Sequence, residues 1–273
     1  MTTKKGNLGF IGAGNMATAM VKGITRSRLY TPDRLLASDP DESKLKAITE
    51  SFGLKGSVDN GALVRDSSIV ILAVKPQVIR EVLEGVKEEI RRDHLVISIA
   101  AGIPTKIIHS IIGADIPVVR VMPNTPALIQ KGISALAPGT SATPEHVETT
   151  RKIFDAIGET VLVREDMMDA VTALSGSGPG FLFRIMECFV NAGETVGFDH
   201  EISRRLVIQT FLGATLLAGE SGKTLSELRK MVTSPGGTTE AGLAVFEQRG
   251  LEAITQEVVK AAYERGVELG KKV

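Results

Sequence analysis

The chain has 273 residues, and its 32 Lys and Arg balance 32 Asp and Glu, so no net field draws it toward nucleic acid or an anionic membrane. With no Trp, two Tyr and 4% aromatic residues it has few platforms for stacking bases, and no apolar run reaches the roughly 18 residues that cross a bilayer. The one cysteine, Cys188, excludes an intrachain disulfide and fits a reducing compartment, with the cytoplasm as the expected location.

Lys4 and Lys5 ahead of Leu8, Phe10 and Ile11 have the outline of a signal peptide, but glycines and Asn15 break the apolar region, and a first strand is expected there instead. Runs rich in Val and Ile follow at 35–38, 69–74, 95–99 and 118–122, with further strands expected at 133–137 and 160–163. Such continuous apolar strands, alternating with amphipathic segments, imply a parallel sheet covered by helices on both faces. After Arg164 the β-branched runs stop. Helices are expected at 179–196, 203–218, 226–232, 239–247 and 251–269, so the boundary is placed between an α/β domain, 1–164, and an all-helical domain, 165–273. On the 203–218 helix Leu206, Val207, Phe211, Ala214 and Leu217 recur at three- and four-residue intervals. An apolar face this wide needs either the sheet domain or a second copy of the chain to cover it.

The sequence GAGNMA, Gly12 to Ala17, follows the first strand and opens a helix, the context of a dinucleotide fingerprint. Gly12 permits the tight turn, Gly14 lets backbone approach a pyrophosphate at the positive end of the helix, and Ala17 keeps helix and strand close. This makes the first domain Rossmann-like. The second strand ends at Ser38 and Asp39, where a carboxylate suits the free ribose of NAD and opposes the 2′-phosphate of NADP. Arg34 and Lys44 lie near enough in sequence to reach a phosphate, and Asp39 in the turn SDPD is equally suited to capping a helix.

Other chemistries lack their signatures. No GxSxG surrounds Ser175 or Ser177, no GxxxxGK[ST] is present, and the four histidines are scattered without a second ligand at metal spacing, so no metal site is expected. Cys188 lies in an apolar helical pattern and is expected to be a buried structural thiol. Two glycine-rich stretches remain. SGSGPG, Ser175 to Gly180, reads as a turn before a helix with Pro in its first turn. TSPGGTT, Thr233 to Thr239, lies between two helices; its backbone N–H groups can converge on a small carboxylate, or it can be a plain capped turn.

Six motifs occur in order: GFIGAGNMA at the first strand, AVKP at Ala73 to Pro76, SIAAG at Ser98 to Gly102, MPNTPA at Met122 to Ala127, LSGSGP at Leu174 to Pro179, and TSPGGTT. Together they resemble the pyrroline-5-carboxylate reductases. The resemblance implies reduction of 1-pyrroline-5-carboxylate to L-proline by NADPH or NADH, and a C-terminal helical domain that interlocks with its counterpart in a homodimer or a ring of dimers. It further implies that Ile11, Gly12, Ala13, Gly14, Asn15 and Met16 line the pyrophosphate, and that Ser38, Asp39 and Asn60 take the adenosine end. Ala73, Val74, Lys75 and Pro76 with Ile99, Ala100 and Ala101 then form the nicotinamide side. Glu165, Ser234, Gly237, Thr238 and Thr239 fall around the substrate, with the N–H groups of Gly237 and Thr238 on its carboxylate and Thr239 at the imine nitrogen. The sequence departs from the family pattern at Phe181, where Tyr is usual, and at Asp39, where Ser or Gly is common. A β-hydroxyacid dehydrogenase would place a Lys on the helix that here reads Phe181 to Ile185 and has none; a dinucleotide sensor without turnover is the remaining alternative.

Overall fold

The computed structural model describes residues 6–270, and the reading placed on Lys4 and Lys5 lies outside them. The described residues form two compact units, one of 6–177 with 262–270 and one of 178–261.

The first unit is built on eight strands: β1 (Leu8–Ile11), β2 (Leu35–Ser38), β3 (Lys55–Ser57), β4 (Ile69–Leu72), β5 (Leu95–Ser98), β6 (Val118–Met122), β7 (Gly132–Pro138) and β8 (Gly158–Leu162). They lie side by side in the order β3-β2-β1-β4-β5-β6-β7-β8. Every residue of β1, β2, β4 and β5 is buried, as expected for apolar runs covered on both faces. The covering helices are α1 (Asn15–Arg26), α2 (Glu42–Phe52), α3 (Asn60–Arg65), α4 (Ile79–Val86), α5 (Thr105–Ile112) and α6 (Pro144–Phe154). Leu8, Phe10, Met20, Ile24 and Phe154 pack into one core layer, and Ile11, Val70, Leu72, Leu83 and Ile108 into the other. Strand order reverses between β1 and its neighbours β2 and β4, and this opens a crevice at the carboxyl ends of the strands.

The structure corrects the expectation of an all-parallel sheet. Strand β7 runs antiparallel to β6, and β8 is parallel to β7. The link between Met122 and Gly132 carries only a short 3-10 turn, Thr125–Ile129, and falls short of the dozen or so residues that a parallel crossover takes. Strand β3 was not expected at all: Lys55 and Gly56 are exposed on the sheet edge and carry no apolar signal.

The segment after β8 belongs to this unit as far as Ser177. It contains a 3-10 turn, Glu165–Met167, then α7 (Met168–Val171), and then one π-helical turn, Thr172–Gly176. The first half of SGSGPG is therefore helical, where a glycine turn was expected. The Ser177 N–H donates to the Thr172 carbonyl (2.8 Å), and Asn124 Nδ2 donates to the carbonyl of Ser175 (3.2 Å). A side chain that takes a helix carbonyl in this way suits a widened turn.

The second unit holds α8 (Gly178–Thr195), α9 (His200–Glu220), α10 (Leu225–Met231), α11 (Thr238–Gln248) and the first turns of α12 (Leu251–Gly270). Asp199 caps α9 by accepting from the Ile202 N–H, and Thr224 with Glu227 forms a capping box on α10. Phe189 meets Phe211 edge to face at 5.6 Å. Yet among the described residues of this unit only Val190 and Ser203 are buried. Leu206 and Leu217 each keep 51% of their surface, and Cys188 is exposed, contrary to the buried thiol expected. One layer of helices cannot cover its own apolar faces. Among the described residues no helix is long and apolar enough to cross a membrane.

Candidate active site

The glycine turn is set by contacts that only glycine allows. Gly12 has φ +104°, and a Cβ there would stand 2.5 Å from the Ala73 carbonyl oxygen. Its N–H donates to the Ser38 carbonyl (2.7 Å), and the Ala73 N–H donates to the Ile11 carbonyl (2.8 Å), so the ends of β1, β2 and β4 are locked together. Gly14 is the N-cap of α1; no side chain caps the helix, and a Cβ at Gly14 would meet nothing within 4 Å. Open space over an uncapped helix N-terminus fits the pyrophosphate of a dinucleotide. Asn15 and Met16 open the helix, and the buried Ala17 keeps it close to the sheet.

The adenosine-end residues meet at the end of β2. Ser38 donates its hydroxyl to Asn60 Oδ1 (2.7 Å) at the start of α3. Asp39 accepts the Ala13 N–H on Oδ2 (2.9 Å) and the Asp41 N–H on Oδ1 (2.9 Å). Its carboxylate thus braces the glycine turn from 26 residues away and leaves its remaining lone pairs for a ligand hydroxyl. Of the two nearby cations, Lys44 is paired with Asp41 at 2.9 Å. Hydrogen bonds from Ser43 and Lys44 hold the Asp41 carboxyl well below its usual range, and the bond to Asp41 raises the Lys44 ammonium.

On the other side of β1, Ala73, Val74 and Lys75 follow β4 and lead into a 3-10 turn at Pro76. Ile99 donates its N–H to the Leu72 carbonyl (3.2 Å), and Ala100 donates to Ser98 Oγ (3.4 Å), so the 99–101 segment lies at the end of β5. A cleft of about 480 Å³ opens beside these segments, lined by Pro76, Gln77, Ala101, Gly102, Asp169 and Thr172. Thirteen of the sixteen residues expected at the cofactor sit at the carboxyl ends of β1, β2, β4 and β5 or in the turns that follow them; Asn15 and Met16 open α1, and Asn60 opens α3.

Glu165 lies in the same unit, with its carboxylate on the first residue of α5. Oε1 accepts the Thr105 N–H and Oε2 accepts the Thr105 hydroxyl, both at 2.6 Å. Asp169, one helical turn on, pairs with Arg120 of β6 at 3.3 Å, and the Arg120 side chain is 5% exposed. Asn124 bridges the Ile133 N–H (3.0 Å) and the Ser175 carbonyl. Sequence reading missed Thr105, Arg120 and Asp169 in these roles; a buried arginine in an otherwise apolar strand was the one available hint.

The remaining expected residues lie in the second unit, in the turn before α11. Gly236 has φ +70° and donates its N–H to Glu240 Oε2 (2.7 Å). Gly237 is the helix N-cap, and no side chain caps this end either. The Gly237 N–H was expected on a substrate carboxylate, but it is already given to the Ser234 carbonyl (3.0 Å). Among the described residues neither the Thr238 nor the Thr239 hydroxyl makes a hydrogen bond, and Thr239 is the less exposed of the two. Both hydroxyls and the first N–H groups of α11 are therefore free to meet a small anion with a polar ring atom.

A mostly parallel sheet with a glycine turn at its switch point, joined to a helical unit carrying an anion-ready turn, is the construction of a two-domain dinucleotide-dependent oxidoreductase. Residues 165–269 match the family described as "Pyrroline-5-carboxylate reductase dimerisation", and residues 7–102 match "NADP oxidoreductase coenzyme F420-dependent". The chain is 44% identical to the pyrroline-5-carboxylate reductase of Methanosarcina acetivorans, over 97% of this chain and 98% of that protein. It superposes on the pyrroline-5-carboxylate reductase of Coxiella burnetii with a TM-score of 0.92 at 35% identity, covering 97% and 99% of the two chains. A Plasmodium falciparum pyrroline carboxylate reductase solved with NADP bound gives a TM-score of 0.87 at 28% identity, with 98% and 99% covered. The chain belongs to the pyrroline-5-carboxylate reductase family.

Proposed function

We infer that this chain reduces 1-pyrroline-5-carboxylate to L-proline with NADPH or NADH. The observation that carries the reading is a likeness that runs through both units, at 44% identity over 97% of the chain. The reduced nicotinamide supplies a hydride when bound; the protein's own task is to bind, orient and shield. In this reading Ile11, Gly12, Ala13, Gly14, Asn15 and Met16 hold the pyrophosphate, and Ser38, Asp39 and Asn60 hold the adenosine end. Ala73 to Pro76 and Ile99 to Ala101 form the nicotinamide side. In the turn before α11 the free N–H groups of Thr238 and Thr239 take the substrate carboxylate, while Ser234 and Gly237 shape the turn. The Thr239 hydroxyl meets the imine nitrogen. It is too weak an acid to protonate the imine alone at neutral pH, so it orients the ring or passes on a proton from water.

The domain limit at 164/165, with 165–273 as the substrate-binding and dimerising part, is proposed on the family match that begins at residue 165; the compact units divide later, after Ser177. A ring of dimers is the assembly proposed, and the cytoplasm the compartment. Turnover is tested by following NADH and NADPH oxidation with and without pyrroline-5-carboxylate. Substrate-dependent oxidation of both cofactors is expected, with NADH used appreciably because the Asp39 carboxylate opposes a 2′-phosphate. Asp39→Ser should shift the ratio of the two kcat/KM values toward NADPH by about tenfold or more, the scale of relieving a like-charge contact. It should also weaken NADH use, because the brace on the Ala13 N–H goes with it. An unchanged ratio would remove Asp39 from the ribose end.

A further inference from the structure

We propose that Glu165 is a positioning residue for the dinucleotide site and makes no contact with the substrate. Helix α5 begins with Pro104 at its N-cap, and proline has no side-chain oxygen with which to catch the first free N–H groups. The missing acceptor comes from 60 residues further along the chain: Glu165 Oε1 takes the Thr105 N–H and Oε2 takes its hydroxyl, both at 2.6 Å. Thr105 is 4% exposed and Glu165 is half-buried, so this is a part-buried, charge-assisted pair of hydrogen bonds. Each carboxylate oxygen accepts one bond from Thr105, and the two together fix the direction of the side chain.

The cap governs a specific piece of backbone. Between β5 and α5 the chain turns through Ile99, Ala100, Ala101, Gly102, Ile103 and Pro104, with Gly102 at φ +74° and the Ile103 N–H reaching the Ala100 carbonyl only at 3.5 Å. At its start the turn is held by the Ile99 N–H on the Leu72 carbonyl; at its far end it is held by Glu165. Ala101 and Gly102 line the 480 Å³ cleft together with Asp169, one helical turn beyond Glu165. Asp169 grips Arg120 as Glu165 grips Thr105, so the segment after β8 is fastened to the sheet unit by two acidic side chains. Loss of the Glu165 grip frees the end of the turn and strands a buried donor and a buried hydroxyl. The fault then falls on the wall of the cofactor site. This inference rests on the reading that Ile99 to Ala101 form the nicotinamide side.

The test measures dinucleotide affinity directly, by quenching or titration calorimetry with NADH and NADPH, beside steady-state KM values for both substrates. Glu165→Ala should weaken dinucleotide binding about tenfold, the scale of losing one charge-assisted buried contact, while KM for pyrroline-5-carboxylate at saturating cofactor stays within about twofold. Thr105→Val removes only the hydroxyl and should cost less, and Thr105→Ser should restore wild-type affinity. The double variant Glu165→Ala/Thr105→Val should bind no more weakly than Glu165→Ala alone, because both changes break one contact. Should Glu165→Ala fail to fold, Glu165→Gln, which keeps one acceptor, is measured against the Thr105 pair. A raised KM for pyrroline-5-carboxylate with unchanged dinucleotide affinity would overturn the proposal and return Glu165 to the substrate. Unchanged values for both would reduce the contact to a helix cap and overturn it equally. Ala101→Val separates the two readings: dinucleotide affinity lost in Ala101→Val but kept in Glu165→Ala overturns the role of Glu165 alone, whereas affinity kept in both overturns the nicotinamide-side reading and the proposal with it.

Discussion

Thr239→Val is expected to lower kcat/KM for pyrroline-5-carboxylate by roughly ten- to a thousandfold, the range for losing one aligned polar contact at a reacting centre. The expectation follows from the N-terminus of α11. Gly237 is its N-cap without a side-chain acceptor, the Gly237 N–H is already bonded to Ser234, and the Thr239 hydroxyl has no partner among the described residues. A hydroxyl left free beside unpaired N–H donors can reach a ring nitrogen while those donors hold the neighbouring carboxylate. Thr239→Ser keeps the hydroxyl and should keep most of the rate. Valine is nearly the same shape as threonine, so a loss in Thr239→Val with dinucleotide affinity unchanged isolates the hydroxyl. Near wild-type turnover in Thr239→Val would leave that group a bystander at a helix start.

The second large effect concerns assembly. Helices α8 and α9 carry Phe183, Leu206, Leu212 and Leu217 at 59, 51, 50 and 51% exposure, more large apolar side chains than a lone chain usually leaves open to water. The segment 165–269 matches a dimerisation family, and these faces are proposed as its interface. Leu206→Glu with Leu217→Glu places charges where they must leave water, at several kcal/mol each, about the whole margin of a typical domain. Sedimentation should then show monomer or unfolded chain in place of the wild-type oligomer, with activity lost more than about a hundredfold because the fold and the association are linked. A variant that sediments and turns over like the wild type would mean that α9 is a solvent-facing helix.

Much of the fold could be read from the chain because its signals are local. Strands β1, β2, β4 and β5 are apolar without interruption, and both the glycine turn and the helices after Gly178 have their start and stop residues in place. Strand β3 could not be read, since Lys55, Gly56 and Ser57 form an exposed edge with no pattern to see. Nor could the reversal at β7, because a run such as Ile133 to Ala137 has the same side-chain period in either direction. At the candidate site, glycine spacing located the turn between β1 and α1, and the pair of threonines marked the start of α11. Contacts between distant residues were invisible: Asp39 on Ala13, Glu165 on Thr105, Asn124 on Ser175. Each links residues at least 26 positions apart, and no periodicity encodes such a pairing. The Gly237 N–H was misassigned for a related reason, since its bond to Ser234 depends on how tightly the turn closes.

A hydride from a reduced dinucleotide is expected to enter the imine carbon of pyrroline-5-carboxylate on this protein. The most direct measurement uses NADH and NADPH carrying deuterium at the transferable position and follows the label in the product by mass spectrometry and NMR. L-Proline is expected with one deuterium on the ring carbon next to nitrogen and away from the carboxylate, one equivalent for each cofactor oxidised, and no label when the imine is left out. Oxidation of the cofactor without labelled proline, or proline labelled at any other carbon, would contradict it.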